Sequence, residues 1–282
     1  MNDIPTQRTT YPPATWRLIV HPSGGGAWNM AVDETLSESV SQGASPPILR
    51  FYGWQPGCLS LGYAQPASDA QLEKLQSHGW DMVRRLTGGR AILHIDELTY
   101  AIVTPLGDPR VEGGVIESYR RLSAGLLAGL MKLGVAVSAG RADEHAHRFN
   151  GPVCFEIPSD YEITFQGKKL LGSAQTRRIG VVLQHGALPL SGDVTRICDG
   201  LSFVSAAEQD QSRARLRSRA LTLEQASGRP VEPAKVIEAL TRGFAEVLNL
   251  TFQTATLTAA ETARANELTT SKYATSEWIN RH

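Results

Sequence analysis

The sequence predicts an α+β fold, a mixed and largely antiparallel sheet flanked by helices. Three observations lead there. Strand-like and helix-like segments mix without a regular β-α-β alternation, which disfavours a doubly wound sheet. A β-hairpin is legible where Tyr161, Ile163 and Phe165 alternate with polar residues before a Gln166-Gly167 turn. Two long amphipathic helices stand out, one over Val115 to Leu133 and one opened by Pro233.

Taken in order, residues 1–15 read as a loosely held polar tail, and residues 16–282 as one domain with no linker or internal repeat. Trp16 to Val20 is a first strand. Ala27 to Val40 has helical spacing through Met30, Leu36 and Val40. Ile48 to Tyr52 and Leu59 to Tyr63 read as strands. Ser68 is placed to cap a short helix with Leu72 and Leu75 facing inward. Trp80 to Leu86 and Ala91 to His94 are further strands, and Leu98 to Val103 alternates as a half-buried one.

Val115, Tyr119, Leu122, Leu126, Leu130 and Leu133 form the stripe of the first long helix, which Gly134 ends. Ser138 to Gly151 reads as a polar loop. After the hairpin, Val181 to Leu190 makes another strand, while Asp193 to Arg219 is polar with low periodicity. Val236, Leu240, Phe244, Val247 and Leu248 share one face of the second long helix. Thr258-Ala259-Ala260-Glu261 is a capping box for a last helix ending about Leu268.

Composition excludes several classes. Lysines and arginines number 28, as do aspartates and glutamates, so overall charge gives no reason to expect nucleic acid or an anionic membrane as partner. Cys58, Cys154 and Cys198 form neither a disulfide framework nor a metal-binding spacing. The amino terminus lacks the order of a signal peptide, and no apolar run reaches the roughly 18 residues of a membrane span. A soluble, cytoplasmic protein is the expectation.

Chemistry concentrates between Gly151 and Leu190. Cys154 sits in a loop between Pro152 and Pro158, just ahead of the lysine-bearing hairpin. On residue type alone it is either a buried apolar cysteine or a nucleophile whose thiol a nearby ammonium activates. Lys168 and Lys169 are either solvated hairpin charges or, for one of them, a group aimed at an acyl carbonyl. In a strand the two point to opposite faces. Gly172, Ser173 and Ala174 leave room for a substrate to come close. Arg84, Arg85, Thr87, Gly88, Gly89 and Arg90 form either an anion- and carbonyl-binding loop or a tight turn with surface arginines. His94 and His185 read as hydrogen-bonded strand residues. Asp143, Glu144, His145 and His147 have no distant partner set that would make a metal site, and no metal is expected.

Several motifs together carry a resemblance over roughly residues 16–280. They are Leu49-Arg50-Phe51-Tyr52-Gly53-Trp54, Arg84 to Ala91, Cys154-Phe155-Glu156 with Pro158-Ser159 and Tyr161-Glu162, Gly167-Lys168-Lys169-Leu170 with Gly172-Ser173-Ala174-Gln175, and Leu183-Gln184-His185-Gly186. The chain resembles the lipoate–protein ligase A/biotin–protein ligase superfamily, and within it the cysteine-dependent octanoyltransferases. Asn29, Ala31, Asp33 and Glu34 also resemble a helix motif of that family, one that could shape the acyl pocket.

The resemblance implies the biotin/lipoate ligase catalytic-domain fold and specific roles. Cys154 would be the acyl-accepting nucleophile and Lys169 the group stabilising the carbonyl oxygen, with Arg84 to Arg90 and Gly172 to Ala174 binding the substrate. It implies an octanoyltransferase that takes octanoyl from octanoyl-acyl carrier protein. The acceptor would be a lysine of a lipoyl domain or of the glycine-cleavage H protein, with no cofactor. Two alternatives share most of these residues: a lipoate–protein ligase using ATP and magnesium, and an amidotransferase moving octanoyl from H protein to other lipoyl domains. The arginine-rich stretch 213–219 is a candidate face for acidic carrier proteins.

Overall fold

The computed structural model describes residues 11–140, 153 and 162–281. The chain runs through β1 (Ala14–Val20), α1 (Gly26–Ser41), β2 (Ile48–Tyr52), β3 (Cys58–Leu61), α2 (Leu72–Ser77), β4 (Asp81–Arg84), β5 (Ile92–His94) and β6 (Glu97–Pro105). It continues with α3 (Val115–Lys132), β7 (Ser138–Gly140), β8 (Glu162–Phe165), β9 (Lys168–Arg178) and β10 (Val181–Pro189). Last come α4 (Ala206–Arg219), α5 (Leu223–Ser227), α6 (Pro233–Leu248), β11 (Leu250–Thr254), α7 (Ala259–Leu268) and α8 (Ser276–Ile279).

Among the described residues the main sheet has the order β11-β1-β2-β6-β10-β9-β8-β7. β1 is parallel to both its neighbours, and every other pairing is antiparallel. A smaller sheet, β4-β3-β5, stands apart. This is the mixed, largely antiparallel architecture that the sequence predicts.

One face of the main sheet packs on α3 and α6 through Leu49, Phe51, Tyr100, Ile102, Leu126 and Phe244. The opposite face packs on α1 and α7 through Ile48, Tyr52, Val103, Leu183, Met30 and Ala265. The α3–α6 contact is close because Gly243 has no side chain: a Cβ there would lie 2.3 Å from the Gly125 carbonyl oxygen. Burial of both sheet faces corrects the expectation for β6. Its residues Leu98 to Thr104 are all buried, since the strand lies mid-sheet with helices on both sides.

Four other expectations give way. The tail is docked from Tyr11 onward, where Arg110 stacks on the Tyr11 ring and bonds the Pro12 carbonyl at 2.6 Å. Ser68 falls in a separate 3-10 turn, α2 starts after Gln71, and Leu72 is exposed while Leu75 is buried. Ser138 to Gly140 pairs with β8 instead of remaining loop. The polar stretch before Arg219 contains α4, whose cap Ser205 accepts a bond from the Glu208 amide. That helix buries only Ser212 and Leu216, so it leaves almost no apolar stripe to read.

Candidate active site

The hairpin forms as its sequence dictates. Gln166 and Gly167 both take positive φ, 49° and 78°, as a tight two-residue turn requires. Beyond the turn Lys168 pairs with Phe165 and Lys169 with Thr164, but Leu171 pairs with Ile163. Leu170 is therefore an extra residue, a β-bulge. Ile163, Leu170 and Leu171 join the core against α3 and α6, and the bulge turns Lys169 to the other face. Lys169 is buried, and its ammonium bonds the Glu162 carboxylate at 2.5 Å. Lys168 stays outside, bonded to the Arg217 carbonyl.

Lys169 lines a cavity of about 510 Å³. The same cavity is bounded by Gly172, Ser173 and Ala174 of β9, by His185 of β10, by Gly88, Gly89 and Arg90, and by Val115, Ile116 and Tyr119 at the start of α3. Met30, Tyr52, Trp54 and Ile92 add apolar and aromatic surface. Such a cavity, mostly apolar with a few polar groups aimed inward, suits an acyl chain bearing one reactive carbonyl.

Arg84, which ends β4, and Arg85 are buried, Arg90 is half-buried, and the three serve unequal roles. Arg84 does not line this cavity: it donates to the carbonyls of Gly62, Tyr63, Gln65 and Ile279, tying down the C-terminal segment. Arg85 does line it, and fixes the loop by donating to the carbonyls of Gly88 and Arg90 and to Ser60. Arg90 lies on the rim. Thr87 is fully buried, and its hydroxyl meets Nε2 of His185 at 2.6 Å.

His185 belongs to a buried network that fixes this wall. Its Nδ1 donates to Asp33 at 3.1 Å, and Asp33 also takes bonds from Tyr52 and from Arg50, the latter at 2.6 Å. Arg50 is fully buried and further donates to Asn29 and to Nδ1 of His21. Burial pushes the Asp33 carboxyl up, but Arg50 and His185 more than offset it and hold its pKa low. Burial lowers the His185 pKa despite Asp33, so the imidazole is neutral, which matches one donating and one accepting nitrogen. His94 is similarly satisfied: Nε2 meets Ser60 at 2.8 Å and Nδ1 meets Glu97 at 2.9 Å, while Trp54 stacks on its ring.

Cys154 lies outside the described residues, as do Asp143, Glu144, His145 and His147. Val153, immediately before the cysteine in sequence, is buried and bridged to Ala91, next to Arg90. Cys58 and Cys198 are buried in the core, and burial pushes the Cys58 thiol well up. Among the described residues no cluster of histidine, cysteine, aspartate or glutamate could hold a metal ion, and no helix is long and apolar enough to cross a membrane.

Residues 26–245 match the model of the lipoyl protein ligase A/B catalytic domain. The chain belongs to this family. It is 44% identical over 269 residues to the octanoyltransferase LipM of Kyrpidia tusciae, covering 94% of this chain and 98% of that protein. It is 41% identical, again over 269 residues, to the octanoyltransferase LipM of Brevibacillus brevis, with coverages of 93% and 98%. Among solved structures it resembles a bi-partite lipoate protein ligase from Thermoplasma acidophilum, with TM-score 0.78, 26% identity and coverage of 94% of this chain and 96% of that one. It also resembles a lipoate-protein ligase A bound with ATP, with TM-score 0.76, 27% identity and coverages of 95% and 98%. The fold is thus that of the lipoate ligase catalytic domain, and the protein is an enzyme, an acyltransferase.

Of the residues that the motifs single out, Lys169, Arg85, Gly88, Gly89, Arg90 and Gly172 to Ala174 line one cavity, while Glu162 has no role assigned by them. That carboxylate stands in the motif Tyr161-Glu162, two residues from the position opposite Lys169 across a two-residue turn, so hairpin register alone could have found it.

Proposed function

We propose that this acyltransferase moves an octanoyl group, within lipoate synthesis, from octanoyl-acyl carrier protein to a lysine of a lipoyl domain or of the glycine-cleavage H protein. The observation that carries the reading is the lysine that a β-bulge turns into an acyl-sized cavity, in a chain whose relatives are octanoyltransferases.

Cys154 is the nucleophile of this proposal. Its thiolate attacks the donor thioester carbon, the carbonyl oxygen becomes an oxyanion beside the Lys169 ammonium, and the carrier thiolate leaves and takes up a proton. The octanoyl-thioenzyme then meets the acceptor amine. Its nitrogen replaces the cysteine sulfur, giving an amide and returning the thiol. Because thioester exchange is nearly balanced and amide formation from a thioester runs downhill, this route needs neither ATP nor magnesium.

Intact mass after incubation with octanoyl-acyl carrier protein, without ATP, tests it beside a Cys154→Ala variant. One octanoyl adduct, released by hydroxylamine and missing from the variant, is the expected result. Lipoate-dependent modification of a lipoyl domain that requires ATP, with no adduct, would establish the ligase alternative, which the likeness to an ATP-bound ligase keeps in view.

A further inference from the structure

The acyl cavity has a buried floor, with Met30, Tyr52, Ser60 and Thr99, and two exposed edges, the Gly88-Gly89 loop and the first turn of α3. At that turn Val115 and Ile116 are 51% and 48% exposed, although both line the cavity. Apolar packing gives the turn little support. Among the described residues, the core that α3 joins takes Val111 before the turn and Leu122 as the next residue after it. Between these anchors lie Gly113, at φ +85°, and Gly114, which precedes the helix without a side-chain cap.

Arg177 reaches over from β9 and gathers this turn. Its guanidinium donates to the carbonyls of Gly113 at 2.5 Å, Gly114 at 2.9 Å and Val111 at 3.0 Å, and to the Ser118 hydroxyl at 2.9 Å. A planar fork can serve four acceptors at once, where the point charge of a lysine cannot. A cation beside a helix N-terminus opposes the helix dipole, so the guanidinium owes its place to these acceptors. The contact continues into the sheet. Ser118 donates to Gln175, Gln175 to Gln184, and Gln184 to the Tyr100 hydroxyl, which meets Ser173 at 2.7 Å. Ser173 and Gln175 line the cavity, so one polar chain fixes the turn against the cavity's sheet side.

We propose that Arg177 is a positioning residue for the acyl chain: it holds the first turn of α3 against the cavity, so that Val115, Ile116 and Tyr119 cover the bound chain. The inference rests on the octanoyl-transfer reading above. Arg177 does not itself line the cavity, so it acts through the turn. Each methylene buried against an apolar wall strengthens binding by about fourfold. A wall held in place thus favours longer chains over shorter ones, up to the length that fills the cavity. A wall free to lift loses that selection, because water shares its contact with the chain.

The test compares octanoyl- and hexanoyl-acyl carrier protein as donors to a lipoyl domain. The wild type should prefer octanoyl by about fifteenfold in kcat/KM, two methylenes at about fourfold each. Arg177→Met should cut that preference to about threefold, through a raised KM for the octanoyl donor and with kcat unchanged, and Arg177→Lys should recover part of it. Val115→Ser/Ile116→Ser leaves the clamp in place and should flatten the preference too, which keeps the test open if Arg177→Met does not fold. Leu268→Ala, a core change on α7, should lower stability and keep the full preference. A preference that survives the loss of Arg177 or of the two apolar side chains overturns the proposal. So does a loss through kcat alone, an equal loss in Leu268→Ala, or a wild type that uses both donors equally. Failure of the wild type to form an acyl-enzyme from the octanoyl donor would instead refute the octanoyl-transfer reading.

Discussion

The Lys169 ammonium and the Glu162 carboxylate form a 2.5 Å ion pair, with both side chains more than nine-tenths buried. Lys169→Met should slow formation of the acyl-enzyme by about 10²–10³-fold, the usual effect of removing one oxyanion donor. It should also destabilise the fold by about 3–5 kcal/mol, because the buried Glu162 carboxylate loses the ammonium it is paired with. Lys169→Met/Glu162→Gln should regain most of the stability and none of the activity. Single-turnover mass spectrometry and denaturant melts separate the two effects, and a double variant as unstable as the single one would disprove the pairing argument.

Gly62 permits the glycine loop to lie where it does. A Cβ at Gly62 would stand 1.9 Å from the Gly89 carbonyl oxygen, a backbone atom that cannot rotate away. Gly62→Ala should therefore displace the Gly88–Arg90 rim, at a cost of about 1–3 kcal/mol. Activity should fall by more than stability explains. A variant with normal kcat/KM would show that the rim's position is not needed for catalysis.

Acid should weaken the fold first through histidine. Burial lowers the pKa of His185 and, with Arg50, takes that of His21 from 6.5 to about 4. Both are neutral in the folded state and protonate more readily when unfolded, so stability is full above pH 6.5 and declines as pH drops below it. His21→Gln should flatten the decline between pH 6.5 and about 4 in urea melts. An unchanged slope would place the proton uptake elsewhere.

A second window belongs to Glu261, which joins β1, α1 and α7 by accepting from Arg17, Ser39 and the Thr258 amide. Burial pushes its carboxyl up, but these donors outweigh that and bring the pKa from 4.5 to about 2. Its stabilisation is present above pH 4.5 and is lost as pH falls through about 2. Glu261→Gln should remove that part of the acid limb and lower stability near neutrality by about 1–3 kcal/mol, the worth of charge-assisted hydrogen bonds. Thermal melts across this range provide the measurement.

What the sequence made legible follows from what leaves a pattern in it. α3 and α6 each bury one side, so their apolar stripes show, and the Gln166-Gly167 turn declared its hairpin. α4 stayed hidden because it rests on the protein with two side chains, although Ser205 and Glu208 were an available cap. β6 reads as a strand from its alternation, but that alternation suggests half-burial where the sheet is covered on both faces. In the candidate site, Lys169 and the glycine loop stand in motifs that mark them out in the sequence. Arg84 stands in the same motif, but its donors turn to carbonyls of Gly62, Tyr63, Gln65 and Ile279. The network of Arg50, Asp33 and His185 joins residues up to 152 positions apart, a distance no local pattern spans.

The extra residue at Leu170 works as a phase setting for the strand. With the bulge, Lys169 meets the cavity although it stands three residues from Gly172; if Leu170 pleated regularly instead, Lys169 would swing toward α3 and α6 and Lys168 would face the cavity, one position further from Gly172. Deleting Leu170 would thus leave Lys169 on the cavity face, still opposite Thr164 and two residues from Gly172. What it would remove is one of the two adjacent leucines that the bulge sends into the core, so the lysine would be kept at the expense of packing against α3 and α6.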